Sequence, residues 1–453
     1  MILTLLSCSF QTIEPPIITK PDILLVVLDT TRADALMSYG NSRKVGTNVH
    51  RLAQKSTLYT QAWTSSSWTW PSHASLFTGM YPWEHGAHFA PPQGATSLKP
   101  DPFFASEMSP NIRTLAQKLH SEGYETVSFS ANRLVGPDFS LTRGFEITEF
   151  HNDDAKVSAR AIEFLNNRKH TPKKPLFLFI NLMSAHTPWF FNDEPWVRQH
   201  EKELQPATAP QWIRPHLLPN GIGFHPFYPN FQESLVFQYI SGTKDIPQEG
   251  KTVIRDLYEA EVKRSDTHFG LIYDTWDNPD SIVALTSDHG EYLTEHRLLE
   301  HGRTLLPEVL HVPMMIKAPN QEPQVNTKPT TMHQLHHKIL SHVGIPVKTP
   351  DDSAIYAGAW EDHYWSTSMG APFDRGYRLK RENDNMYILD EKGNCTSYIL
   401  KNNKSEQIQK TCTKEIIEEL ALLFQNAQTG NAVQPSKQTL EQLQKLGYVG
   451  DQE

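Results

Sequence analysis

Three short runs of consecutive apolar residues constrain the fold of this chain more than any other feature. They occupy residues 23–28, 176–180 and 282–285. A continuous apolar run, rather than an alternating one, is typical of a strand buried on both faces of a parallel sheet. Polar residues follow each run at once. Because open α/β sheets place their sites beyond the carboxyl ends of parallel strands, the sequence predicts an α/β fold with a site at one sheet edge.

Amphipathic stretches between these runs predict the helices that cover such a sheet. Apolar residues recur with the helical period in three stretches, 110–122, 153–168 and 252–276. Near the end of the chain, short alternating patches at 385–389 and 396–400 predict a small antiparallel sheet, followed by a helix near 413–426. The 453 residues therefore suffice for a large α/β unit and a smaller α+β unit.

Charge and hydropathy exclude two classes of function. The formal net charge of -9 argues against a non-specific nucleic-acid binder, which needs a basic face. No run of about 18 apolar residues occurs, so the sequence predicts no membrane-spanning helix. We therefore expect a globular protein without a nucleic-acid partner.

The cysteines bear on the cellular compartment. Cys8 ends a Leu-x-x-Cys stretch that resembles the lipobox of a bacterial lipoprotein, although the apolar stretch before it is short and no basic residue opens it. This favours export to the periplasm or cell envelope, with a lipid anchor at Cys8. Cys395 and Cys412 are expected to pair in an oxidising compartment and to stay reduced in the cytosol.

Two acids and an imidazole follow the first and third apolar runs. Asp29 comes directly after residues 23–28, and Asp288 and His289 come shortly after residues 282–285. A lone Asp after a strand is most often a helix cap or a turn residue. Two carboxylates and an imidazole at one sheet edge, however, are suitable ligands for one divalent cation.

The segment 68–79 combines hydroxyl side chains, a proline and a helical run that ends at Gly79. A purely structural interpretation makes Thr69 a helix-capping residue. A functional interpretation places its hydroxyl at the positive helix end beside a cation, which lowers the pKa of the hydroxyl and makes it a nucleophile.

These residues carry a resemblance to the sulfatase family. Residues 69–73 read Thr-Trp-Pro-Ser-His and, with the following apolar run and Thr78-Gly79, resemble the sulfatase signature Cys/Ser-x-Pro-Ser-Arg. Further segments resemble family motifs in the expected order: 29–30, 47–53, 184–188, 258–266, 287–291, 301–302, 312–313 and 443–449. The resemblance implies an alkaline phosphatase-like three-layer αβα sandwich with a mostly parallel central sheet.

The resemblance also implies which residues hold a metal ion. One divalent ion, calcium, magnesium, manganese or zinc, is expected on the following side chains: Asp29, Thr30, Thr69, Asp288 and His289. The imidazole ligand favours manganese or zinc over magnesium.

Catalytic roles are implied in the same way. Thr69 stands at the nucleophile position, and His73 stands where sulfatases have a supporting Arg. His186 and His301 resemble residues that bind the anion and protonate the leaving oxygen. The weaker candidates are Arg32, as a partner of the ligands, and His296. Without the resemblance, each histidine would be interpreted as an ordinary core or surface imidazole.

Thr69 separates this chain from ordinary sulfatases. Those enzymes convert the Cys or Ser of the signature to formylglycine, whose hydrate releases sulfate by collapsing to the aldehyde. Thr69 carries a methyl group on Cβ and gives no aldehyde, and His73 replaces the Arg of the modification signal. A phosphothreonine is released when an activated water attacks phosphorus, so threonine favours phosphoester or phosphonate substrates.

Three hypotheses about function follow. The first is a hydrolase of a small-molecule or glycan sulfate or phosphate ester. The second is a transferase of phosphoethanolamine or glycerol phosphate, whose relatives usually carry several spanning helices. The third is a non-catalytic binding protein, which the complete set of metal and nucleophile candidates disfavours.

The sequence also predicts how the chain is divided into domains. Residues 1–21 are expected to form a tail or lipoprotein-type tether, 22–345 the catalytic α/β domain and 346–453 a C-terminal α+β subdomain. An irregular insertion at 190–250 is expected near the pocket. Five aromatic residues in or next to this insertion either stack on a sugar or lipid head group or pack against the rest of the protein: Trp189, Phe190, Trp196, Trp212 and Phe224.

Overall fold

A computed structural model gives the fold of the protein. It describes residues 20–89, 105–169, 174–190, 194–203, 234–348, 354–361, 373–401, 404–408 and 412–430, with positions 209, 213, 217–218, 221–222, 433 and 439. Several sequence predictions lie outside the described residues: the tail before residue 20 with Cys8, the aromatic residues Trp212 and Phe224, and the motif at 443–449.

The strands of the described residues are numbered in chain order. They are β1 (Ile23–Leu28), β2 (Thr57–Tyr59), β3 (Ala62–Trp63), β4 (Glu125–Ser130), β5 (Ile147–Phe150), β6 (Leu176–Leu182), β7 (Trp189–Phe190), β8 (Leu217–Leu218), β9 (Gly221–Ile222), β10 (Ile282–Thr286), β11 (Tyr292–Leu293), β12 (Leu299–Glu300), β13 (Met314–Lys317), β14 (Gln324–Asn326), β15 (Thr330–Thr331), β16 (Ile355–Ala359), β17 (Tyr377–Glu382), β18 (Asn385–Asp390), β19 (Cys395–Lys401) and β20 (Lys404–Ile408).

The α-helices are numbered in the same way. They are α1 (Thr47–Ala53), α2 (Thr69–Thr78), α3 (Pro82–His85), α4 (Leu115–Ser121), α5 (Asp154–Arg168), α6 (Pro195–Glu203), α7 (Leu235–Ile240), α8 (Gln248–Trp276), α9 (Pro307–Leu310), α10 (Gln334–His342) and α11 (Lys414–Gln425). Within the described part of the chain, no helix is both long enough and apolar enough to cross a membrane.

The central sheet has eight strands in the order β14-β2-β13-β10-β1-β6-β4-β5. Strand β13 runs antiparallel to both of its neighbours, and the other paired neighbours run parallel. The three apolar runs of the sequence form β1, β6 and β10, which lie side by side at the centre. The predicted, mostly parallel sheet is therefore confirmed.

Helices cover both faces of this sheet. In β1, Leu24, Val26 and Leu28 pack into a core shared with α1, α5 and α8. The alternate residues of the same strand pack into a second core with α2, α4 and α10. Every residue of β1 is buried because each face of the strand has its own helical layer. The expected three-layer αβα sandwich is thus confirmed.

One predicted helix begins later than the sequence pattern indicated. The prediction placed its start at residue 110, but α4 begins at Leu115. Thr114 is the N-cap residue: its hydroxyl accepts from the Gln117 N–H at 3.1 Å, and the Gln117 side chain accepts from the Thr114 N–H at 3.0 Å. This capping box sets the first turn, so the apolar Ile112 precedes the helix.

The C-terminal part carries a second sheet. Strands β16 to β20 form an antiparallel sheet in sequential order, and α11 contacts β17 and β18. Cys395 of β19 forms a disulfide with Cys412, which precedes α11. The predicted small antiparallel sheet with its helix is therefore confirmed, and the two cysteines are paired.

Candidate active site

Asp29 and Asp288 follow neighbouring parallel strands at the same sheet edge. Asp29 comes directly after β1, and β1 pairs with β10, which ends two residues before Asp288. Thr30 has a φ of 54°, which is uncommon for a residue other than glycine. The Thr30 N–H donates to Asp288 Oδ1 at 3.2 Å, and the Tyr258 hydroxyl of α8 donates to the Thr30 carbonyl at 2.8 Å. The turn after β1 is therefore held from two sides.

Asp29, Asp288 and His289 form a compact ligand cluster. One ligand atom from each lies within 4.8 Å of the other two. All three side chains are buried, and within the described residues Asp29 Oδ1 and Asp288 Oδ2 have no hydrogen-bond partner. Buried carboxylate oxygens without a partner are costly unless a cation meets them. Two oxygens and one imidazole nitrogen at this spacing therefore fit one divalent ion.

Burial also changes the proton affinity of the cluster. It raises the pKa of Asp288 to about 7, and burial together with repulsion from Asp288 raises the pKa of Asp29 to about 7. Burial lowers the pKa of His289 to about 3. A dication replaces protons on such carboxylates and meets a neutral imidazole, so these shifts are compatible with a metal centre.

Thr30 lies beside this cluster, with its side chain turned to the backbone. Its hydroxyl donates to the Asp29 carbonyl at 2.8 Å. Because its N–H donates to Asp288, the contacts of Thr30 orient both carboxylate residues.

Thr69 brings a hydroxyl to the cluster. Its Oγ1 lies 3.4 Å from His289 Nε2 and accepts a hydrogen bond from the Asn132 amide at 3.3 Å. Thr69 is the first residue of α2, and the N-cap position belongs to Trp68. The hydroxyl therefore points at the metal ligands from the positive end of the helix, instead of serving as the N-cap.

His73 lies one helical turn after Thr69. Its Nδ1 is 3.0 Å from the Thr69 carbonyl and 3.5 Å from Asp288 Oδ2, and its Nε2 is 3.4 Å from the Asn181 amide. Burial lowers the pKa of His73, while the charge of Asp29 opposes this shift. His73 thus joins α2 to the ligand cluster.

His186 and His301 border the cluster on its more accessible side. The ring of His301 lies 4.2 Å from that of His289 and 5.0 Å from that of His186, measured between centroids. Nδ1 of His301 lies 3.1 Å from Oε1 of the fully buried Glu291, and Nδ1 of His186 lies 2.7 Å from the Thr187 carbonyl. Burial lowers the pKa of both histidines. With Nδ1 of His301 engaged by Glu291, Nε2 is the nitrogen of that ring that can act on a substrate.

The two weaker candidates lie apart from the ligand atoms. The Arg32 guanidinium pairs with Asp34 at 2.8 Å and with Glu295 at 2.7 Å, and it donates to the Glu291 carbonyl. Arg32 therefore supports the backbone next to the site. His296 forms a partly exposed pair with Glu308 at 3.3 Å, so the structure places it outside the ligand cluster.

Two of the aromatic residues near the insertion are packing residues. Trp189 is buried and donates to the Ala185 carbonyl at 2.8 Å. Trp196 packs against the cations of Arg43 and Lys263. Phe190 keeps 36% of its surface exposed.

Two asparagines at the centre of the site escaped the sequence analysis. The side-chain amides of Asn132 and Asn181 donate to Asp29 Oδ2 at 2.8 and 3.2 Å. Asn181 directly follows the second apolar run, so its position was a usable signal. Asn132 follows β4, whose sequence alternates Thr, Val, Ser, Phe and Ser. That alternation was the signal for an additional strand and for a polar residue at its end.

Comparison with known proteins decides the family. The family model described as Sulfatase matches residues 21–345. The chain belongs to the sulfatase family. Enzymes of this family generally use a divalent metal, and the cluster of Asp29, Asp288 and His289 lies within the matched region.

Similar proteins include a sulfatase and a protein of the alkaline phosphatase superfamily. The ulvan-active sulfatase of Formosa agariphila is 24% identical over 321 residues, 68% of this chain and 50% of that protein. The multifunctional alkaline phosphatase superfamily protein PehA of Trinickia caryophylli is 24% identical over 369 residues, 67% of this chain and 69% of that protein. The chain thus spans about half the length of the first relative.

The fold of this sulfatase-family chain is shared with a solved enzyme structure. The phosphonate monoester hydrolase of Agrobacterium radiobacter superposes with a TM-score of 0.59 over 84% of this chain and 89% of that chain, at 16% identity. This similarity supports the alkaline phosphatase-like architecture.

Proposed function

We propose that this sulfatase-family chain is a metal-dependent hydrolase of phosphoesters or phosphonate esters that uses Thr69 as its nucleophile. One observation carries the proposal: the Thr69 hydroxyl lies 3.4 Å from His289 Nε2, beside two buried carboxylates with unpartnered oxygens. A hydroxyl and three candidate metal ligands in one buried site are the parts that nucleophilic hydrolysis with a metal requires.

Threonine at this position favours phosphorus over sulfur as the reaction centre. The methyl group on Cβ prevents conversion to formylglycine, so a sulfate ester on Thr69 lacks release through an aldehyde. A phosphate or phosphonate ester on Thr69 is hydrolysed by a second displacement at phosphorus. The relatives are compatible with this preference, since a phosphonate monoester hydrolase shares the fold.

Asp29, Asp288 and His289 would hold the divalent ion, with the Thr69 oxygen next to it. A bound dication supplies charge stabilisation for the Thr69 oxygen and for the transferred group. Asn132 and Asn181 hold Asp29 through its Oδ2, so its Oδ1 would be the oxygen that binds the ion.

The chain's own residues account for both displacements. Thr69 Oγ1 releases its proton to solvent and forms a bond to phosphorus as the bond from phosphorus to the leaving oxygen breaks. His301, oriented through Nδ1 by Glu291, donates a proton from Nε2 to the leaving oxygen; His186 is the alternative donor. The charge of the bound anion favours the protonated imidazole. Water then attacks phosphorus, and Thr69 regains its proton.

The disulfide bears on the compartment. Paired cysteines persist in oxidising environments, and Cys395 and Cys412 are bonded. We therefore propose that the protein is exported, and that its substrate is an extracellular or periplasmic small-molecule or glycan ester.

The proposal is tested with a panel of 4-nitrophenyl esters and metal analysis. We expect manganese- or zinc-dependent turnover of bis(4-nitrophenyl) phosphate or 4-nitrophenyl phenylphosphonate, and much slower turnover of 4-nitrophenyl sulfate. Thr69→Ala should abolish turnover while manganese binding remains measurable. Full activity of Thr69→Ala, or a clear preference for the sulfate ester, would contradict the proposal.

A further inference from the structure

Asn132 contacts both a metal-ligand candidate and the nucleophile candidate. Its Nδ2 lies 2.8 Å from Asp29 Oδ2 and 3.3 Å from Thr69 Oγ1, and its side chain is fully buried. Its Oδ1 accepts from the Leu134 N–H at 3.0 Å. Because a backbone donor fixes the amide oxygen, the NH₂ group must face Asp29 and Thr69.

This contact also orients the Thr69 hydroxyl. Since Oγ1 accepts from Asn132, its own proton is left for the other polar groups near it, His289 Nε2 at 3.4 Å and the Asp288 carboxylate. A cation held by the ligand cluster would repel that proton. The amide N–H is already in place when the oxygen becomes negative.

Asn181 provides an internal comparison. Its Nδ2 donates to the same Asp29 oxygen at 3.2 Å, but its other contact is His73 Nε2 at 3.4 Å. Both amides therefore support Asp29 as a ligand, whereas Asn132 also donates to the Thr69 oxygen.

We propose that Asn132 is a catalytic residue whose amide N–H stabilises the negative charge on Thr69 Oγ1 in both displacements. This rests on the proposed function. In the first step Oγ1 is an oxyanion as it forms the bond to phosphorus. In the second step the bond from phosphorus to Oγ1 breaks as water bonds to phosphorus, and Oγ1 again carries charge until it takes a proton from that water. A preorganised donor in a buried site acts strongly on such charge.

The experiment compares three variants by single-turnover kinetics on bis(4-nitrophenyl) phosphate at saturating Mn²⁺. Asn132→Ser and Asn132→Asp both keep an oxygen that can accept from Leu134, and both lose the amide donor. Asn181→Ser removes the matched amide, whose Nδ2 contacts Asp29 and His73 and whose Oδ1 accepts from the Ser130 hydroxyl. Calorimetric titration with Mn²⁺ measures the cation affinity of each variant and identifies folded protein.

We expect the Asn132 variants to be about 10²–10³-fold slower at saturating Mn²⁺. Asn181→Ser should bind Mn²⁺ about 10–100-fold more weakly and should recover most of its rate when Mn²⁺ is raised. The inference is overturned if either Asn132 variant stays within about threefold of the wild-type rate. It is also overturned if the rate of the Asn132 variants recovers with Mn²⁺ as that of Asn181→Ser does.

The variant Thr69→Ala distinguishes a wrong role for Asn132 from a wrong proposed function. If Thr69→Ala is inactive and the Asn132 variants are fast, only the role of Asn132 is wrong. If Thr69→Ala is active, the nucleophile assignment is wrong and the role of Asn132 falls with it.

Discussion

Two groups of buried histidines differ in what surrounds them. The site histidines are His73, His186, His289 and His301. The second histidine group consists of His85, His333 and His336. Burial lowers the pKa of every member of both groups, so neutral imidazoles are common to the two regions.

The partners of the second histidine group are neutral or cationic. His85 Nε2 lies 3.0 Å from the Ser75 hydroxyl, and His336 Nε2 lies 2.8 Å from Lys118 Nζ. The site histidines instead lie beside Asp29 and Asp288, each of which has one buried oxygen without a hydrogen-bond partner among the described residues. Buried imidazoles alone therefore do not indicate an active site. The carboxylate oxygens distinguish the region that can hold a cation.

The largest expected effect comes from removing one of those carboxylates. Asp288→Asn keeps the shape of the side chain but lowers the negative charge of the ligand cluster. We expect loss of measurable Mn²⁺ binding and a fall in turnover on the order of 10³-fold or more, because metal stabilisation supplies several kcal/mol. Calorimetry and steady-state assays measure both. The matched variant His336→Gln, in the second histidine group, should bind Mn²⁺ like the wild type. Equal Mn²⁺ affinities for the two variants would erase the distinction between the groups.

A smaller effect separates a histidine within α2 from one that contacts α2. His73→Asn removes an imidazole that lies 3.5 Å from Asp288 Oδ2, and we expect kcat to fall about 10–100-fold, as for other groups that orient metal ligands. His85→Asn disturbs the contacts to the Ser75 hydroxyl and the Ala87 N–H, so we expect a stability loss of about 1–3 kcal/mol and nearly unchanged kcat. Urea unfolding and initial rates test this. The reverse pattern would show that His85 belongs to the site.

The pH dependence of stability sharpens the comparison further. Without a cation, Asp29 and Asp288 have folded pKa values of about 7, above the unfolded value of about 3.9. The folded state then binds more protons, so the free energy of unfolding falls as the pH rises from about 4 to 7. His85 and His333, with folded pKa values of about 3, act oppositely. They lower the free energy of unfolding as the pH falls from about 6.5 toward 3.

Mn²⁺ should distinguish these two pH effects. We expect urea unfolding at a series of pH values to show that Mn²⁺ abolishes the fall in the free energy of unfolding between about pH 4 and 7, since the ion takes the place of protons on the carboxylates. The fall in the free energy of unfolding toward pH 3 should persist with Mn²⁺, because the described contacts of the second histidine group include no carboxylate that could bind the ion. A stabilisation by Mn²⁺ that is independent of pH would contradict this assignment.

The smallest expected effect is at His296. Its side chain is partly exposed and pairs with Glu308, and the pKa of His296 is raised mainly by that hydrogen bond. Exposed pairs contribute about 0–1 kcal/mol, so His296→Ala should leave turnover within about twofold and stability nearly unchanged. Steady-state assays suffice as the measurement. A tenfold loss of kcat would return His296 to the list of site residues.

Much of the architecture was predictable because burial on both faces leaves a simple signal. The runs that form β1, β6 and β10 are continuous and apolar, and the acids that follow β1 and β10 converge because parallel strands end at one edge. The start of α4 was mispredicted because a capping box at Thr114, rather than the apolar pattern, sets it.

The parts of the site that escaped prediction depend on side-chain direction. Asn132 follows a short alternating strand, so neither its place in the sheet nor the direction of its amide was evident. Arg32 stands three residues after Asp29 in the sequence, yet its guanidinium turns to Asp34 and Glu295. Only tertiary contacts decide such directions.

The most direct test of the account is to trap the covalent intermediate. The Mn²⁺-loaded protein is mixed with bis(4-nitrophenyl) phosphate, quenched in acid during the first turnovers and digested for peptide mass spectrometry. The account predicts a 4-nitrophenyl phosphate adduct on the peptide that contains Thr69, located on Thr69 itself and absent from Thr69→Ala. Turnover with the adduct on another residue, or turnover that Thr69→Ala retains, would contradict it.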